Sequence, residues 1–196
     1  MDISKLNIAV VCGSVREGRQ SIHAANFLVD QLKARGVDAH LVDFKDFPLP
    51  FIYTPEEPSK LKGAYPDKNV KVWSDIAKAA DGFVFVAPEY NHGYTGVLKN
   101  ALDWLYHEFE RKAAGLVGVS SGLVGGARAI EQLRTLMGSF AMYDIRETIM
   151  VRNASKVFDG SGKLIDEELL KQVPKFIDSL LFAAQALKIA REESQS

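Results

Sequence analysis

The chain has 196 residues, a formal net charge of −1 and a single cysteine, Cys12. A near-neutral chain has no overall attraction for nucleic acid or an anionic membrane, and one cysteine excludes an internal disulfide framework, as in a reducing compartment. With 47% hydrophobic and 25% charged residues, the composition is that of an ordinary globular protein able to bury a substantial core.

The opening MDISKLNIAV has no signal-peptide pattern, and no apolar run reaches the roughly 18 residues of a spanning helix. The sequence reads as soluble and cytoplasmic. LNIAVV is a first short strand, followed by CGSVREGRQS, a glycine- and serine-rich loop with two arginines and no lysine. Ile22, Ala25, Val29 and Leu32 then recur at helical spacing until Gly36 stops the helix. VDAHLVDF is a second strand. Residues 47–67 hold five of the seven prolines, which predicts a long ordered loop or lid. GFVFVAP is a third strand, apolar throughout, as for a strand covered on both faces.

Leu98, Ala101, Leu102, Leu105 and Phe109 predict a helix, GLVGVSS a fourth strand, and Ile130, Leu133, Met137 and Phe140 another helix. A fifth strand lies around Ile145 to Val151. Leu169 to Leu187 carry a final helix, kinked at Pro174 or starting there. Residues 1–190 read as one domain and 191–196, REESQS, as a disordered tail. The strand–helix alternation predicts an α/β fold with a parallel sheet and helices on both faces.

In such sheets ligands bind beyond the carboxyl ends of the strands. The loops CGSVREGRQS, PEYNHGYTG and SSGLVGGAR sit there and hold seven of the fifteen glycines. Glycine lets backbone approach a ligand closely, so the three loops point to a planar or phosphorylated small molecule. Gly13 and Gly18 have Walker A spacing, but Arg19 and Gln20 replace the lysine and the magnesium-binding hydroxyl. Strand three also ends in Ala-Pro, without an aspartate for magnesium. The dinucleotide fingerprint fails as well, because Val15 stands where its second glycine belongs. Asp43 fits either a ribose-binding acid or a strand-end carboxylate.

A monophosphate held without metal needs hydroxyls, helix N–H groups and an arginine fork. Ser14, Arg16 and Ser21 offer these at the start of the first helix. The alternative reading makes Ser21 an N-cap and Arg16 a solvated loop charge.

GSVREGRQS, PEYNHGYTGVLKNALDWL and SSGLVGGARAIEQLR together resemble the NADPH-dependent FMN reductase family, the flavodoxin-like quinone and azo-compound reductases. The likeness runs from about residue 7 to residue 150. It implies a flavodoxin-like, doubly wound five-stranded parallel sheet, FMN as cofactor and NADPH or NADH as electron donor. Carried over, Ser14, Arg16 and Ser21 hold the FMN phosphate, and Arg19 is either a second fork or a surface charge. Pro88, Glu89, Tyr90 and Asn91 line the isoalloxazine ring. The loop with Ser120, Gly122, Gly125 and Gly126 supplies backbone N–H groups or a tight strand-to-helix turn. His92 either meets the second substrate or faces solvent. Thr95 stands where many members have proline, and it can N-cap the helix instead.

The resemblance implies that hydride passes from nicotinamide to flavin and two electrons then pass to a quinone, azo compound or free flavin. The flavin carries the chemistry, so no side chain is expected to be catalytic. It also implies a homodimer or homotetramer. The rival readings are a flavodoxin-like electron carrier, a class usually far more acidic than this chain, and a non-catalytic FMN-binding module. Cys12 reads as a buried apolar side chain. The histidines at 23, 40, 92 and 107 lack metal-ligand spacing, so no metal is expected. Trp104 and Tyr106 fall off their helix's apolar stripe and fit the core and a subunit interface equally.

Overall fold

The computed structural model describes residues 3–194. Strands β1 (Asn7–Cys12), β2 (Asp38–Asp43), β3 (Gly82–Pro88), β4 (Ala113–Val119) and β5 (Tyr143–Val151) form one parallel sheet in the order β2-β1-β3-β4-β5. Alternate side chains of each strand point to opposite faces. Ile8, Val10, Cys12, Val84 and Val86 pack under α1 (Ser21–Ala34) and α6 (Glu167–Glu193). Ala9, Val11, Phe83, Phe85 and Leu116 pack under α3 (Lys68–Ala79), α4 (Gly96–Asp103) and α5 (Ala127–Ser139). The chain runs outward in both directions from β1, so the switch point lies between β1 and β3 and opens a crevice at their carboxyl ends.

Several predicted elements change. Helix α3 is an addition to the sequence reading. Asp67 caps it, accepting the Asn69 and Val70 N–H groups at 2.8 and 3.2 Å, and Val70, Trp73 and Ala77 form its short buried stripe. The proline-rich segment also contains a single helical turn, α2 (Pro58–Leu61). Helix α4 stops at Asp103, so Phe109 belongs to a separate 3₁₀ turn, His107–Phe109.

Helix α6 neither starts at Pro174 nor ends before the expected tail. Asp166 caps it by accepting the Leu169 N–H at 3.0 Å, and it runs through Pro174 to Glu193. Arg191 is fixed to Asp81 at 3.0 Å and to the Arg111 carbonyl at 2.8 Å. The first residues of the expected tail are therefore part of the fold, and residues 195–196 lie outside the described residues.

Candidate active site

The loop after β1 begins with a close approach. Gly13 N–H donates to the Val86 carbonyl of β3 at 2.8 Å. A Cβ at position 13 would lie 2.7 Å from that oxygen, so only glycine lets the loop cross there. Thr95 Oγ1 donates to the Gly13 carbonyl and accepts the Leu98 N–H at 3.2 Å, holding the loop and capping α4 together. The buried Ser14 hydroxyl shares a hydrogen bond of 3.1 Å with the Tyr90 hydroxyl and accepts the Arg16 N–H at 3.3 Å.

Helix α1 starts differently from the other long helices. Its N-cap is Gln20, whose side chain donates to the Gly18 carbonyl at 3.3 Å and caps no helix N–H, and Ser21 is the first helical residue, buried with its hydroxyl 3.6 Å from Cys12 Sγ. The alternative reading of Ser21 as an N-cap does not match this helix start. Asp67, Thr95 and Asp166 cap α3, α4 and α6. Glu89 serves α5 from outside, accepting the Arg128 N–H at 3.2 Å and its guanidinium at 3.0 Å. Only α1, of these five, has no side chain on its first N–H groups. It therefore presents unpaired donors and the positive end of its dipole to whatever lies beyond Gln20.

What lies there is a cavity of about 290 Å³. The β1 loop contributes Ser14, Arg16, Arg19 and Ser21, and the end of β3 contributes Pro88, Glu89 and Tyr90. Ser120 and Ser121 follow β4. Arg16 is exposed, and its guanidinium has no acidic partner among the described residues. The geometry therefore offers one free cation, hydroxyls and an uncapped helix end. That set suits one phosphate ester.

The family profile described as NADPH-dependent FMN reductase matches residues 6–156. The chain belongs to this family. An NAD(P)H-dependent FMN reductase of Schizosaccharomyces pombe is 39% identical over 136 residues, covering 69% of this chain and 67% of that protein. An NAD(P)H:quinone oxidoreductase of Solanum tuberosum is 32% identical over 192 residues, covering 94% and 93%. The solved structure of a flavoenzyme NAD(P)H:(acceptor) oxidoreductase from Paracoccus denitrificans superposes with a TM-score of 0.78 at 24% identity, covering 92% and 98%, and so shares the flavodoxin-like fold. The reductase is an FMN-dependent NAD(P)H oxidoreductase.

Not every expected residue faces the cavity of the reductase. Arg19 lines it, but its guanidinium is committed elsewhere. It donates to the Ser14 carbonyl at 2.7 Å and pairs with Asp43, with the two side chains only 10% and 8% exposed. Arg19 is thus neither a second fork toward the cavity nor a surface charge, and Asp43 is a strand-end carboxylate.

Asn91 and His92 take φ values of 51° and 67° in a turn closed by two hydrogen bonds between Tyr90 and Gly93, off the cavity wall. The exposed His92 offers its carbonyl to Gln132 at 3.0 Å. Gly122 donates to Ser120 Oγ at 3.2 Å and also lies off the wall. Gly125 and Gly126 make the tight turn into α5, where a Cβ on Gly126 would stand 2.7 Å from the Val119 nitrogen.

Ala154 and Ser155, after β5, complete the wall and were not anticipated. The Asn153 and Ala154 N–H groups donate to the Gly122 and Ser120 carbonyls at 3.1 and 3.0 Å, joining the two loops. Their only sequence signal is position, since β5 ends at the same edge as β1, β3 and β4.

On the far side of Tyr90 lies an apolar groove of about 420 Å³, walled by Val15, Phe44, Pro48, Leu49, Phe51 and Val97. The proline-rich segment forms much of this wall and is pinned. Asn100 Nδ2 and Trp104 Nε1 donate to the Pro50 carbonyl at 2.9 and 2.7 Å, and Asn69 Nδ2 to that of Pro48 at 2.8 Å. Trp104 is fully buried and so belongs to the core, while Tyr106 is 38% exposed. Burial pushes the Cys12 thiol up, which keeps it protonated and inert. No group of three His, Cys, Asp or Glu residues could hold a metal among the described residues.

Proposed function

We propose that the reductase holds the FMN phosphate between Arg16, the hydroxyls of Ser14 and Ser21 and the first N–H groups of α1. The flavin ring then lies along Pro88–Tyr90 and the Ser120–Ser121 wall. The observation that carries this is the uncapped α1 beside an unpaired Arg16. FMN held there would supply the two-electron chemistry between NADPH or NADH and the acceptor. The chain's part is to bind and orient. Ser14 ties the phosphate loop to Tyr90, and the Glu89–Arg128 contacts hold the end of β3 against α5.

The acceptor in this reading is a small flat molecule, such as a quinone, an azo compound or free flavin. Donor and acceptor use one face in turn, so double-reciprocal plots should be parallel, and intersecting lines would require both to bind at once. Anaerobic NADPH should bleach the yellow protein rapidly, and added quinone should restore the colour. A spectrum that NADPH leaves unchanged would instead fit an electron carrier.

The reading also takes the reductase to be cytoplasmic. Its lone thiol is buried, and no helix among the described residues is long and apolar enough to cross a membrane. Phe51 at 82%, Tyr53 at 61% and Leu123 at 76% exposure supply apolar surface for a homodimer or homotetramer, which sedimentation equilibrium would measure.

A further inference from the structure

We propose that the buried Arg19–Asp43 pair is a latch that positions the phosphate-binding groups of Ser14 and Arg16. Arg19 and Asp43 are then positioning residues for FMN, acting through the loop rather than touching the cofactor. The inference rests on the reading that the phosphate sits at the start of α1.

The β1–α1 loop is anchored at its start by Val86, Thr95 and Tyr90 and at Glu17 by Lys45, but it has little backbone hydrogen bonding of its own. Gly13 and Gly18 flank it, Gly18 at φ 68°, and its one internal backbone hydrogen bond, Arg19 N–H to the Arg16 carbonyl, is long at 3.4 Å. Ser14 and Arg16 must nevertheless meet a ligand at fixed places. Arg19 adds a constraint from inside, on the Ser14 backbone itself, because one guanidinium grips both the Ser14 carbonyl at 2.7 Å and the Asp43 carboxylate.

Asp43 is itself fixed. It ends β2 in register with Cys12 of β1. Its other carboxylate oxygen accepts the Lys45 N–H at 3.0 Å, and its carbonyl accepts the Asp46 N–H at 3.0 Å. The linkage therefore runs from the sheet through Asp43 and Arg19 to the Ser14 backbone. From there the Ser14 hydroxyl accepts the Arg16 N–H at 3.3 Å.

A loop ordered before the ligand arrives spares the ligand the cost of ordering it. A buried ion pair is weak support for stability as such, since an apolar pair of similar size often does as well. A geometric role explains why charges stand here. The latch also leaves Arg16, among the described residues, as the one free guanidinium at the cavity, which matches one phosphate rather than a pyrophosphate.

The test uses flavin-free protein and compares FMN with riboflavin, which has the same ring and no phosphate. Dissociation constants from flavin fluorescence are measured for wild type, Arg16→Ala, Asp43→Asn and the double variant Arg19→Met/Asp43→Leu. The double variant removes both charges together, so no buried charge is stranded and folding, checked by circular dichroism, is retained. The latch variants should weaken FMN about tenfold or more and leave riboflavin within about twofold, tenfold being about 1.4 kcal/mol.

If FMN and riboflavin weaken equally, or neither changes, while Arg16→Ala lowers FMN binding alone, the latch is overturned and the phosphate reading stands. If wild type itself binds the two flavins equally, the phosphate reading fails and the latch with it.

Discussion

The two ends of one sheet treat polar groups in opposite ways. At the amino end the chain pairs its charged groups with one another, although the side-chain oxygen of Asn7 is buried there without a partner among the described residues. Asp81 accepts from the Asn7 N–H at 3.0 Å, Lys188 at 2.8 Å and Arg191 at 3.0 Å. The buried Glu108 accepts from Tyr65 at 2.9 Å, Ser74 at 2.7 Å and the Tyr106 N–H at 3.3 Å. Lys112 donates to the Ala77 and Lys78 carbonyls at 2.6 and 3.0 Å, at the end of α3. At the carboxyl end the same economy stops at α1, which has no side-chain cap, and at Arg16, which has no acid partner among the described residues. A helix start with no side-chain cap, beside an exposed guanidinium with no acid partner among the described residues, is where the chain can take an anion from another molecule.

The sharpest way to break this contrast is to exchange the consequences of the two ends. Asp81→Ala leaves Lys188 and Arg191 at the closed end without their carboxylate, each keeping a carbonyl acceptor on Lys5 and Arg111. It should lower the unfolding free energy by roughly 1.5–3 kcal/mol, the usual worth of hydrogen bonds to a charged group, measured by urea denaturation. FMN affinity of the protein that stays folded should not change. If FMN binding fell with stability, the two ends would not be independent.

Arg16→Ala is the mirror experiment at the open end. A charge-assisted contact is worth about 1.5–3 kcal/mol, so FMN should bind one to two decades more weakly. Stability of the flavin-free protein should stay within about 0.5 kcal/mol, as for an exposed side chain without partners. Retention of wild-type FMN affinity would remove Arg16 from the phosphate site.

These two ends were not equally legible in the sequence. The five strands and the three carboxyl-edge loops announce themselves, because fully buried strands are apolar runs and ligand loops are glycine-rich. Helix α3 did not, because its stripe of Val70, Trp73 and Ala77 is thin between lysines and follows a run of prolines, although Asp67 is an ordinary capping signal. Arg19 is a cation in a phosphate-type loop. Only the structure brings Asp43, from the next strand, to its guanidinium. Ser155 carries no composition signal at all, and Arg191 looked like the start of a charged tail until α6 brought it back to Asp81.

Titration sharpens the contrast more finely. Burial, helped by the charge of Arg191, pushes Lys112 down to about 8 from its ordinary 10.5. Between about pH 8 and 10 the unfolded chain keeps this proton and the folded chain has lost it. Stability therefore rises with pH across that window. Tyr65 works the other way at higher pH. Burial and Glu108 raise its value above the ordinary 10.0, so stability falls again as the unfolded tyrosine ionises. Thermal melts of wild type should show the rise, and Lys112→Met should flatten it. A rise that survives in Lys112→Met would assign it to another group.

The smallest expected effect is none, and it concerns metal. Gly13 and Gly18 keep the spacing of a nucleotide-triphosphate loop, the one feature that favours magnesium at the open end. Such a loop needs a lysine on the phosphates, a Ser or Thr on the metal and a strand-end aspartate behind it. Here the lysine position is Arg19, which is turned to Asp43 and the Ser14 carbonyl. The hydroxyl position is Gln20, and β3 ends in Ala87-Pro88. In the proposed site an FMN phosphate ester would be balanced by one guanidinium and a helix end, without a cation to bridge it. EDTA should therefore leave FMN affinity and NAD(P)H oxidation unchanged, and magnesium-ATP should not shift the melting of flavin-free protein. Stabilisation by magnesium-ATP but not by FMN would mean that the uncapped end of α1 awaits a triphosphate, and the flavin site would have to be sought elsewhere.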